Sequence, residues 1–297
     1  MSALLEVSDL QVRYGGVVAV RDVSFEVAPG EVVAVLGANG AGKTSTLRAV
    51  TGLEPVADGS VTVDGADVSR SSPERIARLG VAHVPAGRGI FGSLSVGDNL
   101  RLGLVGAGAD RGADGRARVA RVLDTFPVLA QKRSQPAGQL SGGQQQQLAI
   151  ARAVVQAPRL LLIDEMSMGL SPTVVADLFG VVRELRAQGI AIVMVEQFVG
   201  QALKVADSVL VLEQGRVVAA GPPASLTGDD VAAAYLGGGA AAQAVHVPAA
   251  PESARESVRI DLTGQRIRAL ERLAGERGTT VAALVGGAVD GILEGSA

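Results

Sequence analysis

The chain contains the stretch Gly37-Ala38-Asn39-Gly40-Ala41-Gly42-Lys43-Thr44 directly after an apolar run, 32–36 (VVAVL). Such a run suits a central strand of a parallel sheet, buried on both faces. Residues 44–50 have the pattern of a helix, so the glycine-rich stretch joins a strand to a helix. This is the context that a phosphate-binding loop requires, because backbone N–H groups and the N-terminal end of a helix attract phosphate oxygens. The sequence therefore predicts a nucleotide-binding α/β domain.

Each part of this loop has an expected contact with ATP. The glycines allow backbone amides to surround phosphate oxygens, Lys43 reaches the β- and γ-phosphates as a catalytic group, and Thr44 offers its hydroxyl to Mg²⁺. The alternative is a glycine-rich turn with a chance Lys-Thr pair, which the flanking strand and helix disfavour. The predicted ATP-binding residues of the loop are Gly37, Asn39, Gly40, Ala41, Gly42, Lys43, Thr44 and Ser45.

An acidic pair, Asp164-Glu165, ends a second apolar strand, 160–163. A carboxylate in this position can hold Mg²⁺, and the next one can polarise an attacking water molecule. Solvated strand ends often carry acidic residues with no function, but the spacing downstream of the phosphate loop favours a role in hydrolysis. We therefore predict Asp164 as a metal ligand and Glu165 as the catalytic base.

The rest of the pattern predicts an α/β sheet with helices on both faces, preceded by short strands and interrupted by a polar helical insert at about 88–157. The flanking strands are expected at 4–7, 17–20, 23–27 and 190–195, followed by a hairpin of 209–212 and 216–219.

Bulk composition narrows the class of protein. The chain has 297 residues, no cysteine and a net charge of -3. It has therefore no disulfide or thiol nucleophile, and charge alone does not favour nucleic-acid or membrane binding. Residues 1–10 lack the basic start and apolar run of a signal peptide. The nearest candidate for a membrane span, 231–250, is broken by glycines and Pro248, so we expect a soluble chain that reaches a membrane through partners.

The string Leu140 to Arg152, LSGGQQQQLAIAR, places Ser141 and two glycines at the expected start of a helix, over 145–157. A simple capped loop would explain the serine and glycines but not the whole string. Over residues 4–237 the chain resembles the nucleotide-binding subunits of ABC transporters, whose signature motif is LSGGQ. The resemblance implies a P-loop NTPase fold of the ABC ATPase type, which is a mixed sheet with an antiparallel β subdomain and a helical subdomain.

The resemblance also implies roles for residues outside the phosphate loop. Two ATPase domains of such proteins pair head to tail, so that the signature residues Ser141, Gly142, Gly143 and Gln144 contact the γ-phosphate of the partner's nucleotide. Tyr14 matches the aromatic residue that stacks on adenine, although a tyrosine of the core is the alternative. Gln197 occupies the position of the catalytic switch histidine and can hydrogen-bond a γ-phosphate without carrying its charge.

Several shorter strings resemble one subfamily, the smaller ATPase of the high-affinity branched-chain amino-acid importer. They are 84–91 (VPAGRGIF), 94–100 (LSVGDNL), 167–172 (SMGLSP), 195–198 (VEQF) and 234–237 (AYLG). The implied partners are a second ABC ATPase (a copy of this chain or a larger paralogue), two membrane permease subunits and, indirectly, a periplasmic or extracellular solute-binding protein. The implied location is the cytoplasmic face of the membrane. ATPases of urea and amide importers look similar, and an exporter ATPase is a further alternative.

Three departures from the family pattern stand out. Ala86 occupies a position where many ABC ATPases have Gln and this subfamily often has Glu, a side chain that contacts Mg²⁺ and water and couples to the membrane subunit. Gln197 replaces the switch histidine. Met166 replaces Pro, and Leu170 stands where many relatives have Asp. Of the three, the change to Ala86 is the one expected to affect the Mg²⁺ geometry and the coupling between the nucleotide site and the membrane subunit.

The end of the chain has a different composition. Residues 238–254 read as a flexible linker, and 255–297 read as a strand and two helices that resemble a ribbon-helix-helix unit, giving a small β-α-α tail. Such a short unit is expected to dimerise or regulate. Its six arginines and six acidic residues balance, which disfavours DNA binding. A nucleotide-gated regulatory protein with a DNA-binding tail and a poorly folded tail are the alternatives.

Overall fold

The structure is a computed structural model that describes residues 3–106, 113–196 and 198–227. The predictions for Gln197, for the apolar stretch 231–250, for the linker 238–254 and for the tail 255–297 lie outside these residues. No helix within the described ranges has the length and hydropathy needed to cross a bilayer.

A six-stranded sheet forms the centre of the ATP-binding part of the fold. Its central strand, β3, runs parallel to both of its neighbours, and only the last strand, at one edge, is antiparallel. All residues of β3 and β7 are buried, as predicted for strands covered on both faces. The strand order is β10 (Arg216–Gly221), β9 (Ser208–Glu213), β3 (Val32–Leu36), β8 (Ala191–Glu196), β7 (Leu160–Asp164) and β6 (Val81–Val84).

A separate four-stranded antiparallel sheet follows from the N-terminal segment. The predicted short strands 17–20 and 23–27 are one strand, because Asp22 adopts a positive φ of 52° and the ladder continues past it. Two strands of this sheet, β4 (Asp58–Val63) and β5 (Ala66–Asp67), were not predicted, since their apolar alternation is too short to be distinctive. The order is β2 (Val17–Val27), β1 (Leu5–Tyr14), β4 (Asp58–Val63) and β5 (Ala66–Asp67).

The helical insert predicted at 88–157 contains four of the helices, α3 to α6. The helix expected over 145–157 begins three residues earlier, at Gly142, because Ser141 caps it. The helices are α1 (Lys43–Val50), α2 (Pro73–Arg78), α3 (Val96–Gly106), α4 (Ala113–Thr125), α5 (Pro127–Gln131), α6 (Gly142–Val154), α7 (Pro172–Ala187) and α8 (Val199–Ala202), with 3₁₀ turns at Ala137–Gln139 and Pro223–Ser225.

Two hydrophobic clusters lie on the two faces of the central sheet. Val32, Ala34 and Leu36 of β3 face a cluster shared with the helical insert and α7. Val33 and Val35 face the other cluster, which contains α1 and the four-stranded sheet. Helices therefore lie on both faces of the central sheet, and the antiparallel sheet shares one of these faces with α1, which confirms the mixed sheet with an antiparallel β subdomain that the resemblance implied. Both clusters hold the carboxyl ends of the parallel strands at one edge, where ligands bind in such folds.

Candidate functional site

The glycine-rich stretch forms a tight loop between β3 and α1. Gly42 precedes α1 with φ of 103°, and a Cβ atom there would lie 2.7 Å from the carbonyl oxygen of Ala19. A Cβ atom at Gly37 would lie 2.3 Å from the carbonyl oxygen of Leu212. Glycine is therefore required at both positions, and the loop is fixed against β2 on one side and β9 on the other.

The Lys43 side chain folds back over this loop. It is 4% exposed, and its Nζ donates hydrogen bonds to the carbonyl oxygens of Gly37 (2.8 Å) and Ala38 (2.9 Å). Burial lowers the pKa of Lys43, while the negative charges of Glu165, Asp164 and Glu196 act in the opposite direction. The loop thus holds a cation at the edge of the sheet, with three carboxylates nearby.

Thr44 and Asp164 meet across the gap between α1 and β7. The Thr44 hydroxyl donates to Asp164 Oδ1 at 3.1 Å, and Asp164 is 2% exposed. Burial raises the pKa of Asp164 and the charge of Glu165 adds to this, whereas the Thr44 hydrogen bond and Lys43 lower it. A hydroxyl and a carboxylate oxygen side by side are the hard donors that suit Mg²⁺, and a cation here would offset the burial of the carboxylate. The residues present therefore fit the expected metal.

Glu165 begins the turn after β7 in a left-handed conformation, with φ of 49°. Its backbone N–H donates to the carbonyl oxygen of Val195 at 2.9 Å, which ties the turn to β8. A non-glycine residue held in this region costs free energy, and such residues concentrate at functional sites. Lys43, Thr44, Asp164 and Glu165 therefore lie together at one edge of the sheet.

The predicted signature residues form the capped start of α6. The Gln144 N–H donates to Ser141 Oγ at 3.4 Å, and the Ser141 N–H donates to Gln144 Oε1 at 3.2 Å, which is a capping box. A Cβ atom at Gly143 would lie 2.3 Å from Val174 Cγ1, so α6 packs tightly on α7. The capped turn presents backbone N–H groups at a helix start.

Tyr14 ends β1 beside the phosphate loop. It is 41% exposed, and its hydroxyl donates to Ser45 Oγ at 3.4 Å. The alternative of a buried core tyrosine is therefore wrong, and the ring is available to a base of a nucleotide held by the loop. Stacking on adenine stays a prediction.

The departures from the family pattern lie in two places. Ala86 is exposed in the loop 85–91 between β6 and α3. Met166 is fully buried within the core, and Leu170 is half-buried beside Gly142. Met166 therefore packs as an apolar side chain next to the acidic pair. Leu170 does the same next to the signature turn, which is the capped start of α6 from Ser141 to Gln144.

Two residues of this site escaped the sequence analysis. Ser167 donates a hydrogen bond to Glu196 Oε2, and both side chains are buried, Glu196 completely. Glu196 ends β8 between β3 and β7, and its charge acts on Lys43. The signal was present in the sequence, since Glu196 ends an apolar strand as Asp164 does, but only the sheet order places it beside the phosphate loop.

His83 in β6 gives the domain a predicted sensitivity to acid. Burial, with a smaller contribution from the charge of Arg48, lowers its pKa from 6.5 to about 4. Between these values the unfolded chain binds a proton that the folded chain does not. The contribution of His83 to the unfolding free energy is therefore fully present above pH 6.5. It is lost as the pH falls towards 4, which lowers the unfolding free energy by roughly 3 kcal/mol.

His83→Leu tests this expectation, because it removes the titrating group and also the buried Nε2, for which the described residues supply no hydrogen bond. Urea unfolding at pH 7.5 and pH 4.5 should show a smaller loss of stability on acidification in the variant than in the parent chain. An equal loss in both proteins would contradict the assignment.

Comparison with known proteins places this geometry among transport ATPases. Residues 20–168 match the family model described as ABC transporter. The high-affinity branched-chain amino acid transport ATP-binding protein BraG of Pseudomonas aeruginosa is 41% identical over 79% of this chain and 100% of its own length. The lipopolysaccharide export system ATP-binding protein LptB of Escherichia coli K12 is 33% identical over 79% of this chain and 98% of LptB. A dimeric ATP-binding cassette solved with ADP and Pi has the same fold, with a TM-score of 0.66, 22% identity and coverage of 74% and 98%.

Proposed function

This chain belongs to the ABC transporter family and is an ATPase whose hydrolysis of ATP is coupled to transport, and we propose that it drives import of branched-chain amino acids. The similarity to BraG carries the proposal for the solute, since it spans the whole length of that branched-chain amino acid transport protein. We place the ATPase domain at residues 1–237, with the helical insert at about 88–157.

The geometry of the described site residues supports a role in hydrolysis for each of them. Backbone amides of the phosphate loop bind the phosphates, Tyr14 stacks on adenine, and Lys43 neutralises charge that develops on the γ-phosphate. Glu165 orients the attacking water and accepts its proton. The role of Gln197, a hydrogen bond to the γ-phosphate, is proposed from the resemblance to the family alone, because this residue lies outside the described ranges. Mg²⁺, when bound, would be held through Thr44 and Asp164 and would withdraw charge from the phosphate oxygens.

We further propose that the site is completed by a second ABC ATPase, either a copy of this chain or a larger paralogue. The capped start of α6, from Ser141 to Gln144, supplies backbone N–H groups and a hydroxyl suited to a γ-phosphate. The solved cassette with ADP and Pi is a dimer, which supports such pairing. Closure on two ATP molecules would then be the step that does work on the transporter.

We propose that the membrane partners dock near residues 87–100. Phe91 is 51% exposed in this segment, and Leu94 is also exposed, while Leu102 and Val105 extend the apolar surface along α3. Exposed apolar side chains grouped in this way are typical of an interaction surface. Two permease subunits docked here would hold the chain at the cytoplasmic face of the membrane, with a solute-binding protein on the far side.

An exporter is the second candidate, because LptB shares 33% identity over nearly its whole length. The two are separated by purifying the chain with its permeases from native membranes and measuring ATP hydrolysis in liposomes. We expect leucine-loaded solute-binding protein to stimulate hydrolysis. Stimulation by urea or an amide would reassign the solute, and stimulation by lipopolysaccharide alone would contradict an importer.

A further inference from the structure

The loop 85–91 reaches the signature turn through one long side chain. Arg88 is half-buried, and its backbone adopts a positive φ of 72°. Its Nη1 donates to Gln145 Oε1 at 2.5 Å. This contact joins the connection after β6 to the first turn of α6, although the two residues lie 57 positions apart.

Gln145 continues the contact into the turn that precedes the signature. Its Nε2 lies within hydrogen-bond distance of the carbonyl oxygens of Leu140 (3.2 Å), Ala137 and Gly138 (both 3.4 Å). One amide side chain therefore accepts from Arg88 and donates to the 3₁₀ turn at its other end. Displacing Arg88 would therefore move Gln145 and, through its hydrogen bonds, the backbone of residues 137–140 that precedes Ser141.

The guanidinium of Arg88 also lies over the start of α6. A Cβ atom at Gly142 would lie 3.1 Å from Arg88 Nη2, so the absence of a side chain at Gly142 provides the space that the guanidinium occupies. A hydrogen bond from a charged donor is shorter and stronger than one between neutral groups. Neighbouring Ala86 is exposed and has no polar side chain.

We propose that Arg88 is a positioning residue that links the permease-facing loop 85–91 to Ser141, Gly142 and Gly143 through Gln145. The inference rests on the proposed function, because it assigns the mechanical connection between the membrane-facing loop and the half of the ATP site offered to the second chain. Movement of the loop changes the orientation of the signature turn. The hydrogen bonds that Arg88 and Gln145 make among the described residues join the loop 85–91 to α6 and the turn before it, and their partners are not in the phosphate loop.

The test begins with Arg88→Ala in the full chain. We expect kcat for ATP hydrolysis to fall on the order of tenfold, while the Kd of a fluorescent ATP analogue stays unchanged, because the phosphate loop is intact. Arg88→Lys should recover part of kcat, since an ammonium group reaches Gln145 but cannot also cover Gly142. Arg121→Ala, which removes an exposed arginine of α4, is the matched control and should leave both quantities unchanged.

A double-mutant cycle tests the link itself. Gln145→Ala should lower kcat as Arg88→Ala does, and the double variant should be no slower than the worse single variant. Additive losses, an unchanged kcat in Arg88→Ala, or an equal loss of nucleotide affinity would overturn the proposal.

Hydrogen exchange separates this proposal from the proposed function, because it needs no hydrolysis. The backbone amides of residues 138–145 should exchange faster in Arg88→Ala, and those of α1 should not change. Unchanged exchange over 138–145 would overturn the link even in an active enzyme. A parent chain without ATPase activity would instead refute the proposed function.

Discussion

Glu165→Gln is expected to slow ATP hydrolysis about 100- to 1,000-fold while leaving ATP binding intact. The amide keeps the size of the carboxylate but cannot accept a proton from the attacking water. Because the substitution leaves Lys43 and the Thr44–Asp164 contact in place, the phosphate loop should still bind ATP. The nucleotide-bound dimer should then accumulate, since the step that opens it is blocked.

Single-turnover hydrolysis and size-exclusion chromatography with ATP measure the two parts of this expectation. Glu184→Gln is the matched control, because Glu184 is exposed on α7, and it should hydrolyse ATP at the parent rate. Parent-like turnover in Glu165→Gln would remove Glu165 from the role of general base. Loss of ATP binding in this variant would indicate a structural role instead.

Lys43→Ala is expected to weaken ATP binding on the order of 100-fold and to abolish measurable turnover. The substitution removes the buried cation of the loop and the two hydrogen bonds that its Nζ donates to the carbonyl oxygens of Gly37 and Ala38. It also removes the positive charge that faces Asp164, Glu165 and Glu196. Repulsion between these carboxylates and the phosphates is then less compensated.

Isothermal titration with ATP measures this loss, and thermal unfolding checks that the variant is folded. Lys204→Ala, at an exposed lysine between α8 and β9, is the control and should bind ATP as the parent does. ATP affinity within threefold of the parent in Lys43→Ala would contradict the placement of the phosphates.

Local sequence patterns predicted those parts of the site that are formed by residues close together in the sequence. The phosphate loop, the buried strands β3 and β7, and the cap at Ser141 each follow from a few neighbouring residues, and the structure has all of them. The Thr44–Asp164 hydrogen bond joins residues 120 positions apart. It was predictable because Thr44 follows the loop after β3 and Asp164 ends β7, and the carboxyl ends of parallel strands lie at the same edge of the sheet.

Other features depend on contacts that no local pattern records. Asp22 lies inside β2 with a positive φ and interrupts the apolar alternation by which strands are predicted. The single strand β2 was therefore predicted as two shorter ones. Ser167 meets Glu196 only because β7 and β8 are neighbours in the sheet. Arg88 reaches Gln145 because the loop 85–91 folds over α6, and its sequence neighbours do not indicate this.

The central claim is that the ATP site is shared by two chains, and mixing two inactive variants tests it most directly. Lys43→Ala has no working phosphate loop but an intact signature, and Ser141→Arg has the reverse, because a bulky cation replaces the cap of α6. For self-pairing chains, an equal mixture contains one complete site in half of its dimers. It should regain roughly a quarter of the parent ATPase rate, whereas each variant alone stays inactive. A mixture as inactive as its components, or parent-like activity of Ser141→Arg alone, would contradict a site shared between two copies of this chain.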